Sequence, residues 1–409
     1  MAVDDAELPI GRRVAYWRGR RKMSQQVFAD RLGKSKSWVD KIERGARRLD
    51  KFSVLHDMAA VLQLSVDMLI GQPATTSAVQ ADAVELDDLR LALTHYAPAA
   101  YLGDRRQPAG LLSDLTKSVS HAWLTYQHGR YDILTRALPG LLRDAHAADA
   151  YYSGDSGERA ASLLGQVYQI TSSALRKLGA YDLARLSAER SITIAVRQGD
   201  ALLAGTGTTR FANALLAEGQ VRSALEANVA TAHRLAPDGT TWADADRVSV
   251  YGSLLLQGAM AAAHLGDSTS VRELLGEAKS AADTLGSDQN RYWTSFGPTN
   301  VELHRAAAAV ELGDGSRARA IHASLTWRQL GALMPERRAQ HLLDQARAHI
   351  LSGDMAGAGE ALIEADRLAP SDIRNRPAAQ DVMVTILRRT PGSPPTLVAE
   401  LADRMGARV

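Results

Sequence analysis

The stretch MSQQVFADRLGKSKSWVDKIERG, residues 23–45, carries the strongest fold signal in this chain of 409 residues. Its apolar residues follow helical spacing in two short runs, separated by Gly33, which permits a tight turn. Ser24 and Ser35 stand where helix caps are expected, and Gly45 follows the second run. Two short helices around such a turn form a helix-turn-helix, a shape that places its second helix in the DNA major groove.

Basic residues surround this motif. Residues 11–51 contain 14 Lys and Arg and four Asp and Glu, a net charge of 14 − 4 = +10. The whole chain carries only +2, so the remaining residues sum to −8. A basic block on this motif is typical of phosphate binding, whereas a solvated helical face with surplus cations is the alternative interpretation. Motif and charge together predict a domain that binds double-stranded DNA.

Residues 10–71 resemble the Cro/C1-type (XRE) helix-turn-helix domain of phage repressors and many bacterial regulators. The resemblance implies a five-helix, lambda-repressor-like domain over residues 8–71. It rests on four segments: SQQ at 24–26, ADRLG at 29–33, WVDKIERG at 38–45, and LSVDMLIG at 64–71, which matches the closing helix of the family.

The resemblance also implies roles for single residues in DNA binding. Gln25 begins the first helix of the motif and would contact a phosphate or an adjacent base. The recognition helix would present Lys36, Ser37 and Lys41 to base edges; Lys can donate to guanine, Ser pairs with several bases, and Lys36 could equally bind phosphate, so the operator sequence stays open. The loop after this helix would bind the DNA phosphate backbone through Arg44, Arg47, Arg48 and Lys51.

Two further positions complete this comparison. Trp38 departs from the family, which usually has a small residue there, and we expect it to pack against the first helix or to lie over a sugar. Arg18 and Glu43 match the buried salt-bridge pair of the family, so we interpret them as structural.

Composition excludes several other classes of protein. The chain has no cysteine, which rules out disulfides, thiolate metal sites and cysteine nucleophiles. Its first residues do not resemble a signal peptide, and its apolar stretches are too short to span a bilayer, so we predict a soluble cytoplasmic protein. The P-loop, zinc-protease and nucleophile-elbow motifs are missing and the histidines are scattered, which predicts no enzyme, no cofactor and no metal.

A second organisation follows the DNA-binding segment. Residues 72–85 are small and polar and read as a linker, and residues 86–409 show a helical pattern throughout. Six glycines there end one helical run and open another, at spacings of 50, 40, 47, 47 and 40: Gly129, Gly179, Gly219, Gly266, Gly313 and Gly353. This period predicts an α-solenoid of helical hairpins, and an all-α protein overall.

Small residues recur at fixed distances before these glycines. From Gly179 onward, the residues seven and five positions upstream are all Ala or Ser, which lets two helices approach closely. Residues 346–370 resemble a tetratricopeptide repeat, and the other units resemble degenerate, longer versions of it. The resemblance implies a repeat domain that senses an effector and mediates dimerisation.

The first helix of each repeat carries a stripe at 13, 9, 6 and 2 residues before the glycine, which is polar at most of its first two positions. An ordinary solvated face is one interpretation. A ligand groove is the other, because the stripe is rich in hydroxyls and carboxamides and almost free of lysine, which suits a peptide main chain. The candidate effector-binding residues are Arg210, Asn213, Gln257, Asn300, His304 and Arg347.

Two functional hypotheses follow. The first is a homodimeric transcriptional regulator whose N-terminal domain binds a DNA operator and whose repeats bind a peptide or small-molecule effector. The second is a DNA-binding protein whose repeats are a docking scaffold for a protein partner. A narrow polar groove favours the first, and a broad apolar or strongly charged concave surface favours the second.

Overall fold

The computed structural model describes residues 10–21, 23–46, 52–62, 83–94, 110–236, 244–390 and 392–407. The described residues form 21 α-helices and no β-sheet, which confirms the predicted all-α class. The chain divides into two compact units, Met1–Ser77 and Ala78–Val409. The division falls within the segment that the sequence predicts to be a linker.

The first unit contains the two helices of the motif with caps where the sequence predicted them. Its described helices are α1 (Ile10–Arg20), α2 (Gln25–Arg31), α3 (Lys36–Glu43) and α4 (Phe52–Leu62). The Ser24 side chain accepts a hydrogen bond from the Val27 amide, and the Ser35 side chain accepts one from the Trp38 amide. Gly33, between α2 and α3, has a φ of 64°. The predicted closing helix, residues 64–71, lies outside the described residues.

The core of this unit joins all four described helices. It contains Val14, Phe28, Val39, Ile42 and Met58, each at most 1% exposed. The half-buried Trp38 packs against this core, one of the two positions expected for it. This shared core packs against the inner face of α3 and leaves its outer face exposed.

The second unit begins with a helix that the sequence analysis did not predict in full. Helix α5 (Ala83–Thr94) starts inside the segment 72–85, so the last residues of the predicted linker are helical. The buried Leu89 and Leu93 join α5 to the hydrophobic core of the first repeats. Apolar packing at its second and third turns explains why the helix forms despite its small, polar start.

Six helical hairpins follow, and each turns at one of the six predicted glycines. These glycines have φ values between 68° and 84°, the left-handed region that glycine adopts without strain. The paired helices are α6 (Leu112–Gln127) with α7 (Tyr131–Tyr151), α8 (Gly154–Lys177) with α9 (Tyr181–Gln198), α10 (Ala201–Ala217) with α11 (Val221–Leu235), α12 (Ala245–His264) with α13 (Ser268–Leu285), α14 (Pro298–Glu311) with α15 (Gly315–Ser324), and α17 (Pro335–Leu351) with α18 (Met355–Leu368).

The predicted small residues lie where helices meet. Both positions upstream of each glycine from Gly179 onward are at most 1% exposed: Ser172, Ala174, Ala212, Ala214, Ala259, Ala261, Ala306, Ala308, Ala346 and Ala348. Their small side chains place the first helices of successive repeats in close contact. The described repeats therefore stack as a solenoid.

Two insertions and a helical tail complete the unit. The cavity loop, residues 286–297, joins α13 to α14, and the short helix α16 (Trp327–Ala332) lies between the fifth and sixth hairpins. The tail contains α19 (Pro370–Arg374), α20 (Pro377–Arg389) and α21 (Thr396–Met405). Helix α21 follows the Pro-rich sequence RTPGSPP, residues 389–395.

A buried charged cluster ties the second repeat to the end of the solenoid. The Lys177 ammonium on α8 lies 2.6 Å from Glu336 of α17 and 3.1 Å from Asp372 of α19, and its side chain is 1% exposed. The first turn of α7 makes another contact with α19, because the Asp132 amide donates a hydrogen bond to Ser371 Oγ. The early and late repeats therefore enclose the space between their first helices.

Candidate nucleic-acid interface and effector cavity

The outer face of α3 presents the predicted base-reading residues. Lys36, Ser37 and Lys41 are all exposed, and Lys34 lies at the preceding turn with its ammonium 6.0 Å from the centre of the Trp38 ring. Exposed cations on the second helix of the motif match the requirements for a helix that enters the major groove.

Arg44 closes this helix and is already paired. Its guanidinium contacts the Asp40 carboxylate one turn earlier, on the exposed side of α3. The pair fixes the position of Arg44 and offsets one charge on this face. The remaining predicted backbone contacts, Arg47, Arg48 and Lys51, lie outside the described residues.

Arg18 and Glu43 form the predicted salt bridge between α1 and α3. Arg18 Nε lies 2.6 Å from Glu43 Oε1, and Nη2 lies 3.0 Å from Oε2. Arg18 Nη1 also donates to the Met23 carbonyl, at 2.6 Å. This bidentate pair confirms the structural role expected for both residues.

Gln25 contacts the same carboxylate. Its Nε2 donates to Glu43 Oε2 at 2.8 Å, and the residue is half-buried. The sequence assigned Gln25 to phosphate or base contact. The structure uses its amide nitrogen for this contact inside the domain, and contact between Gln25 and DNA stays a prediction.

All six predicted effector-binding residues line one cavity in the second unit. Its volume is about 380 Å³, and its walls include the first helices of all six hairpins, α6, α8, α10, α12, α14 and α17. The predicted residues enter it from four of these helices: Arg210, Asn213, Gln257, Asn300, His304 and Arg347. The sequence stripe therefore converges on one space, although contact with an effector stays a prediction.

A chain of hydrogen bonds orders three of these residues. Gln257 Nε2 lies 3.2 Å from His304 Nε2, and His304 Nδ1 lies 2.8 Å from the Asn300 carbonyl. Asn300 Nδ2 donates to the carbonyl of Ser295 in the cavity loop, at 2.9 Å. Burial and the nearby Arg337 lower the pKa of His304 to about 3, so its imidazole is neutral at physiological pH.

Asn300 has an acceptor that nothing satisfies. Its Oδ1 is buried and has no hydrogen-bond partner among the described residues. Buried polar atoms are seldom left unpaired in folded proteins. A ligand that donates a hydrogen bond would satisfy this atom.

Aromatic rings form one wall beside Arg210. The rings of Trp123 and Trp293 stack with centres 5.7 Å apart and planes 14° from parallel, and the Arg210 guanidinium lies 5.5 Å from the Trp123 ring centre. Trp123 is fully buried, whereas Trp293 lines the cavity from the loop. The stack holds Arg210 in a defined position through a cation–π contact.

Arg347 differs from Arg210 because carboxylates already hold it. Its Nη1 lies 2.5 Å from Glu311 Oε1 and 3.6 Å from Asp344 Oδ1. Asp344 also accepts from Gln340 at 3.1 Å. Among the six candidate residues, Arg347 is therefore the one whose charge is already neutralised.

The cavity loop is a functional feature that the sequence analysis missed. Tyr292, Trp293 and Ser295 all have positive φ, between 48° and 59°, which non-glycine residues rarely adopt. Such strain persists only where the surroundings impose it, and it concentrates at ligand and switch sites. Phe296 anchors the loop against Gly252, where an added Cβ would lie 1.9 Å from the ring.

Comparison with known proteins supports the assignment of the first unit. A family model described as a helix-turn-helix domain matches residues 9–69. No curated protein and no solved structure matches the chain. The N-terminal segment is thus a helix-turn-helix domain, and this match supports a DNA-binding regulator.

The described residues show no sign of a membrane span or of a metal site. No helix there combines the length and apolarity that crossing a membrane requires. That part of the chain also contains no group of three His, Asp or Glu side chains arranged to hold a metal ion.

Proposed function

We propose that this protein is a transcriptional regulator whose helical repeat unit binds an effector in the cavity and thereby changes DNA binding by the helix-turn-helix domain. The repeats are tetratricopeptide-like in this proposal. The predicted domain division, 8–71 for DNA binding, 72–85 for the linker and 86–409 for the repeats, is part of it. No catalytic role is assigned to the cavity.

One observation carries the effector half of the proposal: polar side chains from successive repeats converge on one cavity instead of facing bulk solvent. Its volume of about 380 Å³ lies within the range of small-molecule sites, and its lining mixes hydrogen-bonding groups with an aromatic wall. A short peptide or a small molecule matches these dimensions.

The scaffold hypothesis receives less support. A docking scaffold needs a broad concave surface that a protein partner can reach. Here the cavity loop occupies part of that surface, because Trp293, Thr294 and Ser295 all line the cavity. Removal of the loop would be required before a partner helix could lie along the polar stripe.

The proposal includes a homodimer on a palindromic DNA site. A single helix-turn-helix domain contacts few base pairs, so two copies on half-sites about one helical turn apart give useful affinity. An effector that prefers one arrangement of the two domains would change this affinity, and a ligand without such a preference would change nothing.

DNA selection and ligand analysis test the two halves separately. The full chain should enrich a palindromic site from a randomised library, and the Lys36→Ala/Lys41→Ala variant should not. Native mass spectrometry of protein purified from its host should show a bound small species. The Asn213→Ala/Asn300→Ala variant should lose that species; its retention at full occupancy would remove the cavity from the proposal.

A further inference from the structure

Three arginines in the cavity have no partner of opposite charge. Arg176 of α8, Arg210 of α10 and Arg337 of α17 line the same space. We call them the arginine cluster. Among the residues that the structure describes, none of the three forms an ion pair or a hydrogen bond, and the Nε of Arg337 is buried without a partner.

The carboxylates that line the cavity are engaged elsewhere. Glu311 binds Arg347 at 2.5 Å, and Glu336 binds Lys177 at 2.6 Å. Asp344 accepts a hydrogen bond from Gln340, and burial raises its pKa. Within the described walls, each carboxylate is therefore held by another residue and none forms an ion pair with the arginine cluster, although the charge of Glu336 still acts on Arg210 and Arg337 through space.

The three guanidinium groups lie close enough to influence each other. Burial, with the neighbouring charges of Arg337 and Arg176, lowers the pKa of Arg210 to about 10. The cavity therefore concentrates positive charge on walls that come from three different helices. Such an arrangement favours an anion at its centre.

We propose that the effector is an anion with two or more negative charges, carried by carboxylate or phosphate groups that the arginine cluster binds. This inference rests on the proposed function and names the chemical class of its ligand. Guanidinium groups bind both kinds of oxyanion through paired hydrogen bonds. Gln257, Asn213 and the unpaired Asn300 Oδ1 would then select the polar, uncharged part of the same molecule.

Thermal unfolding of the full chain tests the ligand class with three probes: citrate for carboxylates, pyrophosphate for phosphates, and a neutral tripeptide acetylated and amidated at its ends. Each is compared with choline chloride at equal ionic strength. At least one anion should raise the Tm by more than about 2 °C over the chloride reference. The larger rise distinguishes carboxylate from phosphate recognition.

Matched variants separate site binding from general salt effects. Arg176→Gln/Arg210→Gln/Arg337→Gln should lose the anion-dependent rise, whereas Arg272→Gln, at an exposed arginine of α13, should retain it. Without anions, Arg337→Gln should unfold at or above the wild-type Tm because it removes an uncompensated charge. Arg347→Gln, which breaks an existing pair, should unfold below it.

Three results would overturn the inference. An equal anion-dependent rise in wild type and the triple variant would show that the cluster binds no anion. A rise with the neutral tripeptide alone would show that the cavity binds an effector of another class, so the proposed function would stand without this inference. No rise with any probe would contradict both statements.

Discussion

Gln127, at the end of α6, and Asn290, in the cavity loop, exchange two amide hydrogen bonds across 163 residues of sequence. Gln127 Nε2 donates to Asn290 Oδ1 at 3.0 Å, and Asn290 Nδ2 donates to Gln127 Oε1 at 2.8 Å. This pair holds the loop of the fourth repeat against the first helix of the solenoid. Trp293 is the next point of attachment, through its stack on Trp123.

Breaking this amide pair should release the loop. Gln127→Ala removes the acceptor of Nδ2 of the half-buried Asn290, whose Oδ1 still accepts from Ser295, at a cost of about 1–3 kcal/mol. Hydrogen exchange of residues 286–297 should therefore accelerate roughly 5- to 100-fold. The Gln127→Ala/Asn290→Ala double variant should exchange about as fast as either single variant; additive effects would show that the two residues act independently.

The Arg18–Glu43 pair should stabilise the helix-turn-helix domain more than the Arg44–Asp40 pair does. Glu43 is 5% exposed, so Arg18→Ala leaves a buried carboxylate and should cost about 3–5 kcal/mol. Arg44→Ala breaks an exposed pair and should cost under about 1 kcal/mol. Amide exchange of α1 and α3 in the full chain measures both. Equal effects of the two substitutions would contradict the buried role of Arg18.

Base reading and phosphate binding should separate between Lys41 and Arg47. Lys41 is exposed on α3, so Lys41→Ala should reduce preference among related DNA sites. Arg47→Ala, at a residue outside the described part, should weaken all sites equally and reduce the salt slope by about one. Binding titrations of several DNA sites at several salt concentrations measure both the sequence preference and the salt slope. If both variants kept the wild-type preference, the base-reading face would be assigned wrongly.

The repeat unit should lose stability in mild acid. Burial lowers the pKa of His304 and of His341 to about 3. The unfolded chain, with histidine pKa values of about 6.5, therefore binds more protons below that pH. Stability is fully present above pH 6.5 and decreases as the pH falls toward 3, by up to about 1.4 kcal/mol per pH unit for each histidine.

Urea unfolding between pH 7 and pH 5 measures this slope. His304→Gln should reduce it by about one proton, because glutamine does not titrate. His121→Gln, at an exposed histidine of α6, should leave it unchanged. An identical slope in wild type and His304→Gln would show that His304 does not resist protonation in the folded protein.

The sequence predicted the elements of this fold more fully than the contacts between distant elements. Helix caps at Ser24 and Ser35 and hairpin turns at glycines are local features, and the structure confirms them. The cavity loop was missed because positive φ at Trp293 opposes local preference and depends on contacts with α6. Lys177 was missed because its partners, Glu336 and Asp372, are more than 150 residues away and only the curvature of the solenoid brings them together.

In the candidate site, too, local features were predicted and contacts between distant elements were not. Helical periodicity placed the six candidate residues on one stripe, and the structure brings them to one cavity. Arg176 lies off that stripe, so periodicity could not select it, whereas Arg337, 16 residues before Gly353, extends the stripe by one turn and was overlooked. Their common environment arises from the way α8 and α17 face each other, which no local pattern encodes.

Operator affinity with and without an effector tests the central claim most directly. The full chain is titrated with its selected DNA site, at constant ionic strength, with and without the anion that most raises the Tm. The account predicts at least a tenfold change in Kd, equivalent to about 1.4 kcal/mol, for wild type. Arg176→Gln/Arg210→Gln/Arg337→Gln should bind DNA like the unliganded wild type and show no change. A wild-type Kd that does not respond, or an equal response in both proteins, would contradict effector control through the cavity.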